Sequence, residues 1–253
     1  MTNDERPLVG LNEIYAAQDV IRPHLHRTPL AGSSYLGKRI GATLFFKLEM
    51  FQKTGSFKPR GALNNMHNLS EEKKRLGVIS LSSGNHAQAL AYAAAISGIQ
   101  ATIVMPANAV TSKVEATRGY GGEVILTTDD LMETTLDIQR ERNLTLVHPF
   151  DNLNTIAGTG TLGLELIDDA PHADVVVVAQ VARLEQIPET ERLDAERLMA
   201  DVQRHGAKAA YLPGVDAIVN YVTAEAAEGD VVCVLSNGSF GAIHEKLLAK
   251  LRA

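Results

Sequence analysis

The stretch on which the fold turns runs from Val78-Ile79-Ser80-Leu81 through Ser82-Ser83-Gly84-Asn85-His86 to Ala87-Gln88-Ala89-Leu90-Ala91-Tyr92-Ala93-Ala94-Ala95-Ile96-Ser97-Gly98. The first four residues form a short apolar run bounded by turn residues, which reads as a buried strand. The Ser/Gly/Asn cluster reads as a turn, and the alanine-rich segment as a helix that stops near Gly98. The alternation continues with a strand at Ala101–Met105 ended by Pro106, a helix through Val114 that runs out at Gly119, and a strand at Val124–Leu126. A helix at Leu131–Arg142 and a strand at Leu144–Val147 follow. Upstream, Ile14, Ala17 and Ile21 have helical spacing, giving an amphipathic helix from Leu11 to about His24, and Thr43–Leu48 reads as a strand.

Downstream the pattern repeats. Asp174–Val178 is a strand, Leu193–His205 a helix, Ala209–Leu212 a strand, Val215 to about Ala227 a helix, and Val231–Leu235 a strand. A final helix spans about Gly241–Leu251. Strands alternating with helices predict an α/β fold with parallel sheets flanked by helices, a Rossmann-like three-layer arrangement. Ligands in such folds sit at the carboxyl ends of the strands. By this reading the loops Gln52–Lys58 and Ser82–His86 both fall there.

Composition narrows the function classes. With 24 Lys and Arg against 30 Asp and Glu, the formal charge of −6 offers no basic face to a nucleic-acid backbone. The single cysteine, Cys233, excludes an internal disulfide and a cysteine-based zinc site, and no other metal site is expected. The segment MTNDERPLVG lacks the apolar core of a signal peptide, and no apolar run reaches the roughly 20 residues that span a bilayer. The expectation is a cytoplasmic protein with no membrane partner.

Two strings carry chemistry. In Gln52-Lys53-Thr54-Gly55-Ser56-Phe57-Lys58-Pro59-Arg60-Gly61, Lys58 stands beside an aromatic on a turn rich in hydroxyls. Partial desolvation there would lower its amine pKa and favour Schiff-base chemistry. Taken alone, the string fits a solvated surface lysine better. In Ser82-Ser83-Gly84-Asn85-His86, backbone N–H groups at a helix start favour an anion such as a carboxylate. Taken alone, Ser and Asn there are ordinary caps and His86 an ordinary packing residue.

Together the strings are specific. Phe45-Phe46-Lys47-Leu48-Glu49, the Lys58 string, the Ser82–His86 turn with its helix, Val147-His148-Pro149-Phe150-Asp151 and Ile156-Ala157-Gly158-Thr159-Gly160-Thr161 resemble the fold-type II pyridoxal phosphate enzymes. Within these, the threonine dehydratase and serine racemase group is the most similar, over about residues 11–178. The resemblance implies pyridoxal 5′-phosphate as cofactor and serine or threonine as substrate, deaminated by β-elimination. It implies that Lys58 forms the internal aldimine and moves the α-proton, with Phe57 packing near the cofactor. Ser83 would act as acid/base on the opposite face, and Asn85 would bond the phenolic oxygen of the cofactor. Ser82, Ser83, Asn85 and His86 would hold the substrate carboxylate. Members of this group usually form homo-oligomers.

The resemblance breaks after the strand at Asp174–Val178. The family continues into a glycine-rich phosphate cradle, in which glycines let several N–H groups converge on one anion. Here the sequence continues Ala179-Gln180-Val181-Ala182-Arg183-Leu184-Glu185, without glycine. That implies weak cofactor retention and low or absent turnover, and leaves open whether the chain is an enzyme. Residues 173–253 instead resemble the C-terminal domain of a Mur ligase, the kind that recycles murein tripeptide. The nucleotide-binding GxxxxGK[ST] loop of those ligases is absent, so no ligase activity is implied. The expected organisation is a dehydratase-like part at 1–173, with a small domain at about 50–150, and a Mur-ligase-like part at 174–253, a chimera. Three readings of the Ser236–Ser239 turn follow: the Mur match, a serine, Ser236, that meets the pyridine nitrogen of the cofactor, or N–H donors to a phosphate in place of the missing loop. A catalytically silent α/β protein and a peptide-binding tail are the alternatives to the lyase.

Overall fold

A computed structural model describes residues 9–35, 38, 45–149, 152–169, 175–179, 203, 208–212, 214–225 and 243–250. The chain divides into two compact units, one of residues 1–28 with 48–165, the other of residues 29–47 with 166–253.

In the first unit, helix α1 (Leu11–Ile21) buries Ala17 and Ile21 on one stripe, as its periodicity predicts. A single 3-10 turn at Glu49–Phe51 leads through the loop 52–57 into helix α2 (Lys58–His67). Helix α3 (Glu71–Leu76) follows, capped by Ser70, whose hydroxyl accepts from the Lys73 N–H. Strand β3 (Val78–Leu81), helix α4 (Asn85–Ile96), strand β4 (Ala101–Pro106), helix α5 (Thr111–Gly119), strand β5 (Glu123–Thr127), helix α6 (Leu131–Arg142) and strand β6 (Thr145–Leu146) complete the alternation. Asp130 caps α6 through the Glu133 N–H at 2.8 Å, and Asn143 closes its other end in the left-handed region at φ 52°.

These strands form one parallel sheet in the order β5-β4-β3-β6. Val78, Ile79, Ile103, Val104 and Met105 are wholly buried in its centre. Both faces are covered, which is why the central strands read as largely apolar runs, with Ser80 and Thr102 as buried polar exceptions. The alanines of α4 give that helix a thin flank, and α2 packs against it.

Helix α7 (Leu153–Asp169) docks on α2 at backbone distance. A Cβ added at Gly158 would stand 2.4 Å from the Arg60 carbonyl oxygen, and one at Gly61 would stand 2.7 Å from that of Thr155. Only glycine permits this approach. Asn64 donates to the Asn154 carbonyl at 2.8 Å, and Asn65 donates to the Thr155 hydroxyl at 3.0 Å, so the polar groups of the contact are paired.

The second unit contains an antiparallel pair, β1 (Leu30–Gly32) with β2 (Phe45–Lys47), and a parallel pair, β7 (Val175–Ala179) with β8 (Lys208–Leu212). Helices α8 (Val215–Glu225) and α9 (Ile243–Lys250) pack through Ile218, Val219, Ile243 and Leu247. Lys246 bonds Asp216 at 2.7 Å across the pair.

The α/β class and the parallel sheet agree with the sequence reading. One placement does not. The loop Gln52–Lys58 does not follow a strand of the parallel sheet: β2, upstream of it, lies in the antiparallel pair, and the loop runs from a 3-10 turn into α2. Apart from Gln203, the expected helix at Leu193–His205 lies outside the described residues, and so does the strand at Val231–Leu235.

Candidate active site

Lys58 opens α2, with Phe57 at the N-cap and Pro59 in the first turn, where its missing N–H costs nothing. The amine donates to the Pro149 carbonyl at 3.2 Å and lies 5.5 Å from the centre of the Phe57 ring. Burial lowers its pKa from the ordinary lysine value. A carbonyl oxygen and a ring face are weak substitutes for the water a charged ammonium prefers, so burial shifts the balance toward the nucleophilic amine.

The Ser82–His86 turn follows the carboxyl end of β3. Its Ser82 hydroxyl accepts from the Gly84 N–H at 3.2 Å, and no side chain caps α4. The first N–H groups of a helix have no intrahelical acceptor, which leaves this turn a donor surface. Ser83 and Asn85 are exposed, and the Asn85 carbonyl oxygen accepts from Lys113 at 2.9 Å. That contact assigns the amide: the oxygen faces the lysine, and the Asn85 NH2 is left to donate elsewhere.

His86 is buried, with Nε2 3.2 Å from the Ser80 hydroxyl. Its pKa is lowered to about 3, first by burial, then by the positive charges of Lys58 and His148, with a hydrogen bond to the Val147 backbone opposing. His86 is therefore a neutral imidazole at physiological pH. Its electrostatic coupling to Lys58 brings the start of α4 beside the start of α2.

The chemistry of this surface suits pyridoxal phosphate. The loop that ends in Lys58 buries two hydroxyls, Thr54 Oγ1 and Ser56 Oγ, that have no hydrogen-bond partner among the described residues. A desolvated amine, two unpaired hydroxyls on its own loop and an uncapped helix start suit a group bearing an aldehyde and anionic oxygens. The residues present fit.

Comparison with known proteins decides the family. The pyridoxal-phosphate dependent enzyme family matches residues 21–187. The chain belongs to this family. The pyridoxal-phosphate dependent enzymes most similar to it include the L-threonine ammonia-lyase of Thermotoga maritima, 47% identical over 174 residues, 68% of this chain and 43% of that protein. The catabolic L-threonine dehydratase of Staphylococcus aureus is 45% identical over 175 residues, 68% of this chain and 51% of that one. The chain thus spans about half the length of these relatives. Among solved structures, serine racemase from Dictyostelium discoideum has a TM-score of 0.67 at 32% identity, covering 85% of this chain and 69% of that one. Maize serine racemase has a TM-score of 0.68 at 30% identity, covering 98% and 87%. That alignment extends through most of residues 173–253, and none of these matches points to a Mur ligase or to a chimera.

The glycine-free segment at Ala179–Glu185 lies outside the described residues beyond Ala179, as does the Ser236–Ser239 turn. No group of three or more residues able to hold a metal ion exists among the described residues. No described helix is long and apolar enough to cross a membrane.

Proposed function

We propose that this chain carries the amine-bearing part of a serine or threonine ammonia-lyase that eliminates the β-hydroxyl of a small amino acid. The observation that carries the reading is the desolvated Lys58 amine at the start of α2, coupled to His86 at the start of α4. The relatives at 45–47% identity, a threonine ammonia-lyase and a threonine dehydratase, support this substrate class.

In this reading Lys58 would hold the aldehyde end of pyridoxal phosphate, with Phe57 beside it and the Asn85 NH2 available to donate to its phenolic oxygen. When bound, the cofactor supplies an electron sink for the charge left at the substrate α-carbon. The N–H groups of the Ser82–His86 turn bind and orient the substrate carboxylate. Lys58 Nζ takes the α-proton, and either Lys58 or Ser83 Oγ delivers a proton to the departing hydroxyl. Neutral His86 adds no second positive charge beside the amine, so burial is what lowers the Lys58 pKa.

Because residues 179–185 contain no glycine, retention of the cofactor phosphate is expected to be weak. Each lost charge-assisted hydrogen bond weakens binding by about 1.5–3 kcal/mol. A homo-oligomer is the expected assembly. The likeness of residues 174–253 to a Mur ligase C-terminal domain rests on sequence alone. The described β7–β8 pair with α8 and α9 is a parallel α/β piece that either family would use.

The test is visible absorbance of the chain mixed with pyridoxal phosphate, followed by borohydride reduction, with Lys58→Ala as control. The expected result is a band that needs Lys58 and is trapped on reduction, then 2-oxobutanoate from threonine or pyruvate from serine. A folded chain with no Lys58-dependent band would make the silent α/β reading the correct one. A band without either keto acid would leave the cofactor site standing and remove the lyase.

A further inference from the structure

Arg60 is 1% exposed, yet it lies two residues beyond Lys58 in the same helical turn. Its guanidinium makes five hydrogen bonds, each to a different acceptor position. Nε donates to Glu49 Oε2 at 3.0 Å and Nη2 to Glu49 Oε1 at 2.8 Å. Nη2 also donates to Glu165 Oε2 at 3.0 Å, and Nη1 to Glu165 Oε1 at 2.8 Å and Thr161 Oγ1 at 3.3 Å. Glu49 in turn accepts from the Thr28 hydroxyl at 2.5 Å. All five N–H donors of the fork are used, and both carboxylates are gripped in bidentate fashion.

Such a cluster is a poor device for stability alone. Desolvating buried ions offsets much of their attraction. Its best-attested use is to specify one arrangement of the backbone. Its place in the fold shows which one. Glu49 begins the 3-10 turn before the loop 52–57, and Arg60 sits just after it, so their bond closes that loop at its neck. Within the loop, Gln52 is pinned to the backbone of His26 through both ends of its amide, at 2.7 and 3.1 Å. Glu165 and Thr161 anchor the same fork to α7, which meets α2 through Gly158. The first turn of α2, by contrast, has no side-chain cap, and Pro59 brings no N–H.

We propose that Arg60, held by Glu49 and Glu165, is a positioning residue for Lys58: a clasp that shuts the neck of the loop and aims the first turn of α2. The assignment rests on the reading of Lys58 as the cofactor lysine. Arg60→Lys keeps the charge but replaces a planar five-donor fork with a point, and Glu165→Gln keeps the shape with one charge fewer.

The experiment follows the rate of Lys58 trapping by pyridoxal phosphate and borohydride from neutral to alkaline pH, in wild type and both variants, with thermal melts in parallel. The expected result is cooperative melting with trapping slowed about tenfold or more and its pH midpoint moved upward, since small misplacements of a reacting group carry penalties of that order or larger. A folded variant with unchanged rate and midpoint would overturn the assignment. So would loss of cooperative melting in both variants, which would make the cluster a stability device. Wild type without Lys58-dependent trapping would sink the cofactor-lysine reading itself and the clasp with it, and is distinguishable because it precedes any variant.

Discussion

His86 Nε2 donates to the hydroxyl of Ser80 across 3.2 Å. The direction follows from the next link: Ser80 spends its only proton on the Val147 carbonyl at 2.7 Å, so it has a lone pair and no hydrogen to offer the imidazole. The tautomer is thereby assigned, with Nδ1 unprotonated. The chain ties β3, the segment after β6 and the start of α4 into one unit beside Lys58.

A pH dependence follows from the buried imidazole. The pKa of His86 is lowered to about 3 in the folded chain against 6.5 in a free side chain. Above the free value both states are neutral, and His86 imposes no penalty. As pH falls from 6.5 toward 3 the unfolded chain binds a proton that the folded chain refuses, so stability is lost at about 1.4 kcal/mol per pH unit. Melting temperature should fall across that window in wild type, and the fall should be shallower in His86→Gln. Equal slopes in the two proteins would show that other groups dominate the acid limb.

Ser80→Ala removes the middle of the same chain and leaves the His86 N–H and one lone pair of Val147 without their partner. An unmade buried hydrogen bond costs about 1–3 kcal/mol. Denaturant melts should report a loss in that range, with the slope of the transition unchanged. A neutral Ser80→Ala would mean that the hydrogen bond of His86 to the Val147 backbone suffices without the serine.

Ser56 carries the opposite expectation. Its hydroxyl is buried with no partner among the described residues, so the chain without cofactor has already met the desolvation cost. Ser56→Ala should raise the stability of the cofactor-free chain by about 1 kcal/mol. It should also shrink the rise in melting temperature produced by pyridoxal phosphate, because the hydroxyl is then lost to the ligand. A lower cofactor-free melting temperature would show that the hydroxyl is satisfied by solvent.

What the sequence made legible and what it hid divide along physical lines. The stretch from Val78 to Leu146 could be read because burial on both faces makes β3 and β4 largely apolar runs, and turns and caps punctuate what lies between. Helix α2 escaped because Pro59, Gly61, Asn64 and Asn65 are poor helix formers, while Pro59 to Met66 are all buried. Tertiary packing, not propensity, makes it a helix. Helix α7 was hidden for the same reason, with Gly158, Gly160 and Gly163 in its interior. Lys58, Asn85 and the Ser82–His86 turn could be singled out as candidates because motif and spacing carry them. Arg60 was not, because its partners lie 11, 101 and 105 residues away and leave no local signal.

Those interior glycines of α7 make opposite predictions. Replacing a helical glycine by alanine relieves backbone entropy worth about 0.5–1 kcal/mol. At Gly163 a new Cβ meets nothing within 4 Å, so Gly163→Ala should stabilise the chain by roughly that amount. At Gly158 the same methyl would sit 2.4 Å from the Arg60 carbonyl oxygen and 2.9 Å from Asn64 Cβ. Both obstacles belong to the backbone or lie next to it, so neither can swing aside. The clash, of order 1–3 kcal/mol or more, exceeds the entropic gain. Gly158→Ala should therefore lower the melting temperature while Gly163→Ala raises it. Because the displaced atom is the carbonyl of Arg60, Gly158→Ala should also slow trapping of Lys58, whereas Gly163→Ala should leave that rate alone. Stabilisation by Gly158→Ala would mean that α7 does not approach α2 as closely as these distances require.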